Sequence, residues 1–437
     1  MNSKARLYLF FSLFTVPLLL GSCRRESDDL VSYAYNDSFS FRDANSSLEG
    51  QFRAIWTAMN CNYPIWDFEE EYGMDWDAVY DNYIDRFIEL DREYNEHNPI
   101  PDSLLVAMYK EIISPLHDGH TQLYLKNIHS GKRVDECFSP QLYRTVSGIA
   151  SDINNGNSSS LQVYYESIFK PTLNWYQNND MVSDYMEHNG FIYGLFDDNI
   201  VYFRIPLFNL TETLNTDIEM LRLWYKWFNC IKDLQETNSL GGVIIDIRNN
   251  PGGYAADFQF VLGALICGEK SSDGSYYQVG YCRKKNGVGR LDYSPILPSV
   301  YIVSNDYNIE VKKPIVILAN TYSASMSEIT CLAAKQLGNG YFIGSNTYGA
   351  YSPLIDSYSF SYSGSVGDPA LSDTVSSSFY APFYIRMPSE AFFSIEGEVL
   401  DGSGIEPDEE VKIDWIEHIV YGQDSQLNRA LEYIRSK

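Results

Sequence analysis

The sequence predicts an α/β protein, because two short apolar strands each pass through a turn into a helical segment. Residues 241–248 are a largely apolar run that ends in the string NNPGG (249–253) and precedes a helical segment at 255–265. Residues 315–319 form a second such run, followed by the polar turn 320–324 and a helix that Gly338 ends. Apolar runs without polar alternation are typical of strands that a sheet buries on both faces.

The first 23 residues are predicted to be a targeting segment rather than part of the fold. Lys4 and Arg6 precede an apolar stretch, 7–20, that is too short to span a bilayer. The segment ends in Leu20-Gly21-Ser22-Cys23, which resembles a bacterial lipoprotein signal. By that resemblance residues 1–22 are the signal peptide, Cys23 is lipidated, and 23–45 form a flexible tether to the cell envelope. A signal peptide cut nearby, with Cys23 incidental, is the alternative.

Composition excludes several classes of partner. The chain has 437 residues and a net charge of −26, so it repels nucleic acid and anionic lipid head groups. Membrane contact is therefore expected only through the N-terminal lipid.

The six cysteines after Cys23 include no CxxC pair and are expected to be mostly unpaired and buried. His117 and His120 form an HxxH without a glutamate, so we expect neither a metal nor a cofactor.

Residues 46–116 are predicted to form a helical subdomain. A capping box at Ser46–Glu49, the start at Asp75 and a cap at Asp102 each precede apolar residues at helical spacing. The next segment, 117–190, carries the loop 116–121 with His120, a strand at 122–125 and a poorly defined insert. Within that insert we expect a strand at 161–165 and find no clear PDZ module.

Residues 191–437 are predicted to form the core. Strands are expected at 191–193, 200–205, 341–343 and 379–386, with a helix at 214–236. A Ser/Gly/Asp-rich segment at 361–378 is predicted to be a surface excursion. A final amphipathic helix carries its apolar residues at Leu427, Ala430, Leu431 and Ile434.

Three features of the core and its approach have both a structural and a chemical interpretation. Ser325 lies where a strand turns into a helix, and can be a helix N-cap or a nucleophile beside free amides. Gly252 and Gly253 can serve a turn that needs positive φ, or present N–H groups to a ligand. His120 can be a structural loop histidine or an imidazole presented for chemistry. The residues alone leave these alternatives open.

Four strings in this order resemble one family. DGHT (118–121), VIIDIRNNPGG (243–253), NTYSASMSEI (320–329) and DGSGIEPD (401–408) resemble the C-terminal-processing and tricorn-core serine peptidases. The resemblance covers most of residues 46–437. It implies a ClpP/crotonase-like core of repeated ββα units with the N-terminal helical subdomain.

The resemblance also implies roles for individual residues. Ser325 matches the nucleophile, and the Met326 amide with that of Gly252 or Gly253 matches the oxyanion hole. One branch of the family uses a lysine 25 residues after the serine, where this chain has Ala350; Lys335 is wrongly placed for that role.

The base is therefore expected to be His120, as in the tricorn-like branch. A neutral imidazole can accept the serine proton at neutral pH. The family's supporting glutamate is replaced here by Asp401, whose reach is one methylene shorter, with Glu398 as the alternative acid.

The function expected on this basis is an envelope-anchored serine endopeptidase that hydrolyses peptides or unfolded proteins through an acyl-enzyme. The missing lysine, Asp401 and the 35 tyrosines motivate an alternative, a catalytically idle lipoprotein that binds peptide, lipid or glycan on the same scaffold. A non-peptidase serine hydrolase is disfavoured, because no GxSxG motif frames Ser325. The sequence does not predict an oligomeric state.

Overall fold

The structure of the protein is a computed structural model. It describes residues 44, 46–95, 97–140, 176, 178–179, 181–266, 270–271, 274–287, 289–303, 307–354, 359–360, 366–367 and 382–437. The predicted signal peptide and nearly all of the tether lie outside these residues. So do the predicted strand at 161–165, the remainder of 141–175, and most of the predicted surface excursion at 361–378.

The chain begins its described fold with four helices: α1 (Leu48–Asn62), α2 (Trp66–Glu71), α3 (Trp76–Glu93) and α4 (Asp102–Ile113). Ser47, rather than the predicted Ser46, caps α1 by accepting from the Gly50 amide. Asp75 caps α3 as predicted. Asp102 is the first residue of α4 rather than its cap, and its carboxylate accepts from Asn127.

A seven-stranded mixed sheet lies at the centre of the core. Its order is β16-β11-β10-β6-β5-β4-β3, with parallel pairing from β16 to β5 and antiparallel pairing from β5 to β3. The strands are β3 (Val182–His188), β4 (Phe191–Phe196), β5 (Ile200–Arg204), β6 (Gly242–Asp246), β10 (Ile315–Ala319), β11 (Gly340–Gly344) and β16 (Glu409–Glu410).

Helices cover both faces of this sheet, which explains its apolar strands. Val243 and Ile245 of β6 pack into one hydrophobic cluster, whereas Ile244 packs into the cluster on the other face. The helices are α5 (Leu210–Thr216), α6 (Ile218–Glu236), α7 (Ala255–Leu265), α8 (Met326–Gln336), α9 (Trp415–Tyr421) and α10 (Ser425–Arg435). The predicted helix at 214–236 is two helices, because Asp217 caps α6 with its side chain. The predicted α/β class is confirmed.

Two smaller sheets join the helical region to the core. One has the order β14-β1-β2, and the other is built on β8, which pairs with β7, β9 and β15. The strands are β1 (Gln122–Lys126), β2 (Arg133–Phe138), β7 (Lys270–Ser271), β8 (Gly274–Lys284), β9 (Leu297–Val303), β14 (Phe383–Arg386) and β15 (Glu390–Ser394); β12 (Ser359–Phe360) and β13 (Val366–Gly367) form a separate pair.

No helix among the described residues is long and apolar enough to cross a membrane. Cys61, Cys230 and Cys331 are free thiols, as expected, but only Cys331 of the three is buried, whereas Cys61 and Cys230 are half-buried.

Candidate active site

Ser325 lies at the point where strand β10 turns into helix α8. It is the N-cap residue of α8, with φ 56° and ψ −119°. A non-glycine residue in such a conformation is strained by about 1–3 kcal/mol and persists only where its surroundings enforce it. Strained serines at strand-to-helix turns are typical of nucleophiles.

Hydrogen bonds distinguish Ser325 from the two serines beside it. The Ser323 hydroxyl donates to the Ile247 carbonyl at 2.8 Å, and the Ser327 hydroxyl donates to the Asn250 carbonyl at 2.8 Å. The Ser325 hydroxyl donates to no group in the described part of the chain. Ser323 and Ser327 therefore hold the turn together, and Ser325 keeps a hydroxyl that is available for chemistry.

The Gly-Gly loop, defined here as residues 249–254 between β6 and α7, packs directly on Ser325. A Cβ atom added at Gly252 would lie 2.6 Å from the Ser325 Cβ and 2.9 Å from the Ala324 carbonyl oxygen. Gly252 also has φ +104°, a conformation that residues with side chains rarely adopt. Only glycine fits here, on both grounds.

The backbone amides around Ser325 differ in availability. The Gly252 amide, one of the two predicted glycine donors, already donates to Asn250 Oδ1 at 2.8 Å, so in this structure it is not available to an oxyanion. The amides of Gly253 and Met326 have no acceptor within the described residues. Met326 is the first residue of α8, where N–H groups lack an intrahelical partner.

Two buried carboxylates hold the support loop, defined here as residues 347–352. Glu328 accepts from the Gly349 and Ala350 amides, both at 2.8 Å, and from the Thr347 hydroxyl at 2.7 Å. Asp401 accepts from the Tyr351 amide at 3.1 Å. Four successive amides of the loop, 349–352, are thus fixed by carboxylates.

Ser352 receives most of the Asp401 contacts. Its amide donates to Asp401 at 3.0 Å and its hydroxyl at 2.6 Å. The support loop is also bonded to the serine turn, defined here as residues 320–325, since the Ser325 amide donates to the Ala350 carbonyl at 3.1 Å and to Glu328 at 3.0 Å.

His120 reaches the support loop from the N-terminal half of the chain. Its neighbour Gly119 lies against the loop, since a Cβ atom there would be 2.5 Å from the Ala350 Cβ. Asp118 fixes the His120 backbone by accepting its amide at 2.8 Å. The imidazole faces the Ser352 carbonyl, and its Nδ1 is buried without a hydrogen-bond partner. The structure therefore brings His120 and Ser325 to the same loop, although no hydrogen bond joins their side chains.

Burial and local charge shift the titration of this site. Burial of the ring, with the positive charge of Arg386, lowers the pKa of His120 to about 3, although the Ser352 carbonyl opposes the shift. Burial raises the pKa of Asp401 to about 7 against the hydrogen bonds from Ser352, and the charges of Asp118 and Glu328 raise it further. The imidazole is thus neutral at neutral pH.

The two predicted acids differ in their positions. Asp401 is buried, yet its hydrogen bonds go to Tyr351 and Ser352 rather than to His120. It can act on the imidazole only through the support loop. Glu398 is exposed on the turn after β15, where its amide bonds to Ser394, and no contact among the described residues brings it to His120.

The position of the family's lysine is filled by the buried Ala350. Lys335 lies in α8 and pairs with Asp408 at 2.8 Å, so it serves the helix rather than the serine.

The sequence did not predict three further residues of the site: Glu328, Asp118 and Ser352. The spacing of Glu328, three residues after a helix N-cap, is a capping-box signal that could have identified it. Asp118 lies inside the DGHT string but was given no role. No sequence signal points to Ser352, because its contact with Asp401 spans 49 residues.

The match to a family model decides the identity of the core. Residues 199–411, which contain the Gly-Gly loop, Ser325 and Asp401, match the model of peptidase family S41. The chain is a member of peptidase family S41. As an S41 member it is a serine-type peptidase.

Solved structures share the fold over most of this S41 chain. A protein from Parabacteroides merdae ATCC 43184 that has been assigned as a peptidase is 19% identical with a TM-score of 0.57, covering 89% of this chain and 96% of its own. A mutant of CPAF is 11% identical with a TM-score of 0.53, covering 90% and 96%. No curated protein matches the chain in sequence.

Proposed function

We propose that this S41 peptidase is an endopeptidase that uses Ser325 as nucleophile and His120 as general base. The observation that carries the proposal is the Ser325 hydroxyl, which has no internal acceptor and lies in a strained turn against Gly252. A hydroxyl left without a protein acceptor, beside unbonded amides, suits attack on a carbonyl carbon.

The reaction is an acyl transfer in two halves. Ser325 Oγ attacks the peptide carbonyl while His120 accepts its proton, and the tetrahedral intermediate collapses when His120 returns that proton to the leaving amine. Water then attacks the acyl-enzyme, with His120 again accepting and returning a proton. Catalytic hydrogen bonds are often long before substrate binds, so the Ser325–His120 bond is expected to form in the substrate complex.

The amides of Met326 and Gly253 are the proposed oxyanion donors. Each donor of this kind contributes about 3 kcal/mol to the transition state. Gly252 serves a different purpose in this proposal, since it lets the loop approach Ser325 while its own amide stays bonded to Asn250.

Asp401 is proposed as a positioning residue. It fixes Ser352, whose carbonyl faces the imidazole, so its carboxylate orients His120 through the support loop.

Covalent labelling tests the nucleophile. A fluorophosphonate is expected to label the wild-type protein, and Ser325→Ala should abolish labelling. Ser323→Ala should retain some labelling, because the Ser323 hydroxyl only holds the turn, by donating to the Ile247 carbonyl and accepting from the Asn320 amide. Labelling that persists in Ser325→Ala would refute the assignment.

Turnover of casein distinguishes an enzyme from an idle binding protein. We expect hydrolysis by the wild type and a loss of at least about a hundredfold in His120→Ala, the usual scale of general-base catalysis. Stable binding of casein without cleavage would favour the binding protein.

We also propose that the peptidase is anchored to a bacterial envelope by a lipid on Cys23. The support is the sequence alone: a basic start, an apolar stretch and Leu20-Gly21-Ser22 before the cysteine.

A further inference from the structure

Arg386 is the last residue of β14 and lies beside the candidate base. In the antiparallel pairing of β14 with β1 it is opposite Gln122, two residues after His120. Residues directly opposite in an antiparallel pair project to the same face. Three residues later the chain contacts Pro353, the residue that directly follows the support loop, where the Ser389 amide donates to the Pro353 carbonyl at 3.2 Å. The positive charge of Arg386 acts on the imidazole of His120.

Among the residues that the structure describes, the guanidinium of Arg386 has no hydrogen-bond or salt-bridge partner. Its Nε is buried without a hydrogen-bond acceptor, and Arg386 takes part in no salt bridge among the described residues. The other half-buried or buried arginines in the described part of the chain each pair with a carboxylate: Arg204, Arg248, Arg283, Arg290 and Arg429.

An unpaired arginine is unexpected in this chain. Acidic residues outnumber Lys and Arg by 58 to 32, so carboxylates are plentiful. An N–H donor that is buried without a hydrogen-bond acceptor destabilises the folded state. A planar guanidinium also matches a carboxylate with two parallel hydrogen bonds. Its position beside His120 makes a carboxylate of the substrate the natural acceptor.

The mechanism gives the side of the substrate on which that carboxylate lies. His120 returns its proton to the leaving amine, so the space around the imidazole holds the residues after the scissile bond. We propose that Arg386 binds a substrate carboxylate on the C-terminal side of the scissile bond. This carboxylate is either the free C-terminus of a short leaving peptide or an Asp or Glu side chain; the proposal rests on the roles given above to Ser325 and His120.

Matched peptides test the proposal. Cleavage sites in casein are first mapped by mass spectrometry, and peptides are made around the best site. Both peptides of the first pair end two residues after the scissile bond, one with a free carboxylate and the other with an amide. A second, longer pair carries Asp or Asn at one of those positions and is amidated. The kcat/KM of the wild type should favour the carboxylate member of at least one pair by roughly tenfold, as expected for a charge-assisted hydrogen bond. The pair that shows the preference identifies the source of the carboxylate.

Variants assign that preference to Arg386. Arg386→Gln should abolish it and Arg386→Lys should retain part, because lysine keeps the charge but not the two parallel donors. Arg92→Gln is the matched control, since Arg92 is exposed on α3 and should leave the preference unchanged. Circular dichroism and a thermal melt report folding. If Arg386→Gln does not fold, Arg386→Lys decides, and an unchanged preference in it refutes the site.

Three results would overturn the inference. They are a wild type with no preference in either pair, a preference that survives in Arg386→Gln, and an equal loss for both members of a pair. The last result would mean that Arg386 acts only through the imidazole. Ser325→Ala separates this failure from failure of the proposed function: cleavage by Ser325→Ala sinks the function itself, whereas Ser325-dependent cleavage without preference sinks only the role of Arg386.

Discussion

In the proposed mechanism His120 must stay neutral to accept a proton, and it must also remain basic enough to do so. Burial and Arg386 secure the first condition by lowering its pKa to about 3. A general base is most effective when its pKa is near the working pH, so the free enzyme holds a weak base. A substrate carboxylate on Arg386 would offset the neighbouring positive charge and raise the pKa of the imidazole. Substrate binding would thereby make His120 a stronger base.

The acid limb of the pH profile tests this state of His120. Because its pKa lies below the ordinary value of about 6.5, the neutral imidazole persists as the pH falls and is lost only near pH 3. Between pH 7.5 and 5.5 any fall in kcat/KM for an amidated peptide should therefore come from Asp401 and not from His120, and in Asp401→Asn kcat/KM should stay within about threefold over this range. In Arg386→Gln the acid limb should move to higher pH.

Asp401 supplies the control for that profile, because its own pKa is raised to about 7. A limb near pH 7 that disappears in Asp401→Asn belongs to Asp401. A limb near pH 6.5 that remains in Asp401→Asn would contradict the lowered pKa of His120. The pKa of His120 is lower in the folded protein than in the unfolded chain. The neutral ring therefore contributes to the free energy of unfolding above pH 6.5, and this contribution is lost as the pH falls towards 3.

At the scale of the elements, two loops and a turn converge on one point. The Gly-Gly loop follows β6, the serine turn follows β10, and the support loop follows β11; these three strands are parallel neighbours. The carboxyl ends of parallel strands lie at one edge of a sheet, which is where α/β proteins bind ligands. This edge brings Gly252, Ser325 and Ala350 together.

Gly252→Ala tests the contact between the Gly-Gly loop and the serine turn. The added methyl would lie 2.6 Å from the Ser325 Cβ, so the two elements must separate and kcat should fall by about a hundredfold or more. Gly73→Ala is the matched control, because Gly73 has φ +91° with no atom within 4 Å of an added Cβ. Both variants carry the strain of positive φ, and only the first should lose activity. Equal activity in the two would show that the close approach is not needed.

The elements that the sequence predicted well are those with a local signal. The strand at 315–319 and the helix at 255–265 have the predicted bounds, because apolar runs and helical spacing are local patterns. Helix α2 was missed since its six residues are too few for a period to show. The site divides in the same way. Ser325 and Gly252 lie in motifs, whereas the bonds of Asp401 to Ser352 and the unpaired state of Arg386 depend on tertiary packing that a single sequence does not display.

At the scale of the whole molecule, the histidine and the serine come from different hydrophobic cores. The helices before His120 pack with β1 and β14 in one cluster, and Ser325 follows a strand that packs in another. Arg283 of β8 connects them, with two hydrogen bonds to Asp67 of α2 at 2.8 and 2.7 Å. Tyr63 adds a link to the histidine loop by donating to Asp118 at 2.7 Å. The relative position of base and nucleophile therefore depends on how these two cores pack.

The proposed membrane attachment also concerns the whole chain. With a net charge of −26 the folded domain should not adhere to anionic lipid, so Cys23 would be its only anchor. In a bacterial host, Cys23→Ser should move the protein from the membrane fraction to the soluble fraction, and mass spectrometry should find diacylglycerol on the wild-type N-terminus. Cys230→Ser, which changes a free thiol in α6, should stay with the membrane. A Cys23→Ser protein that still sediments with membranes would contradict the anchor.

The long separation of the site residues along the chain has a consequence for synthesis. Domains fold from the N-terminus as the ribosome delivers them. His120 is made early and Ser325 much later, and the carboxylate of Asp401 that holds the support loop comes last. In the proposed mechanism, a growing chain therefore carries the nucleophile without a fixed base until almost the whole polypeptide exists. Peptidase activity is then expected to begin only when synthesis is nearly complete.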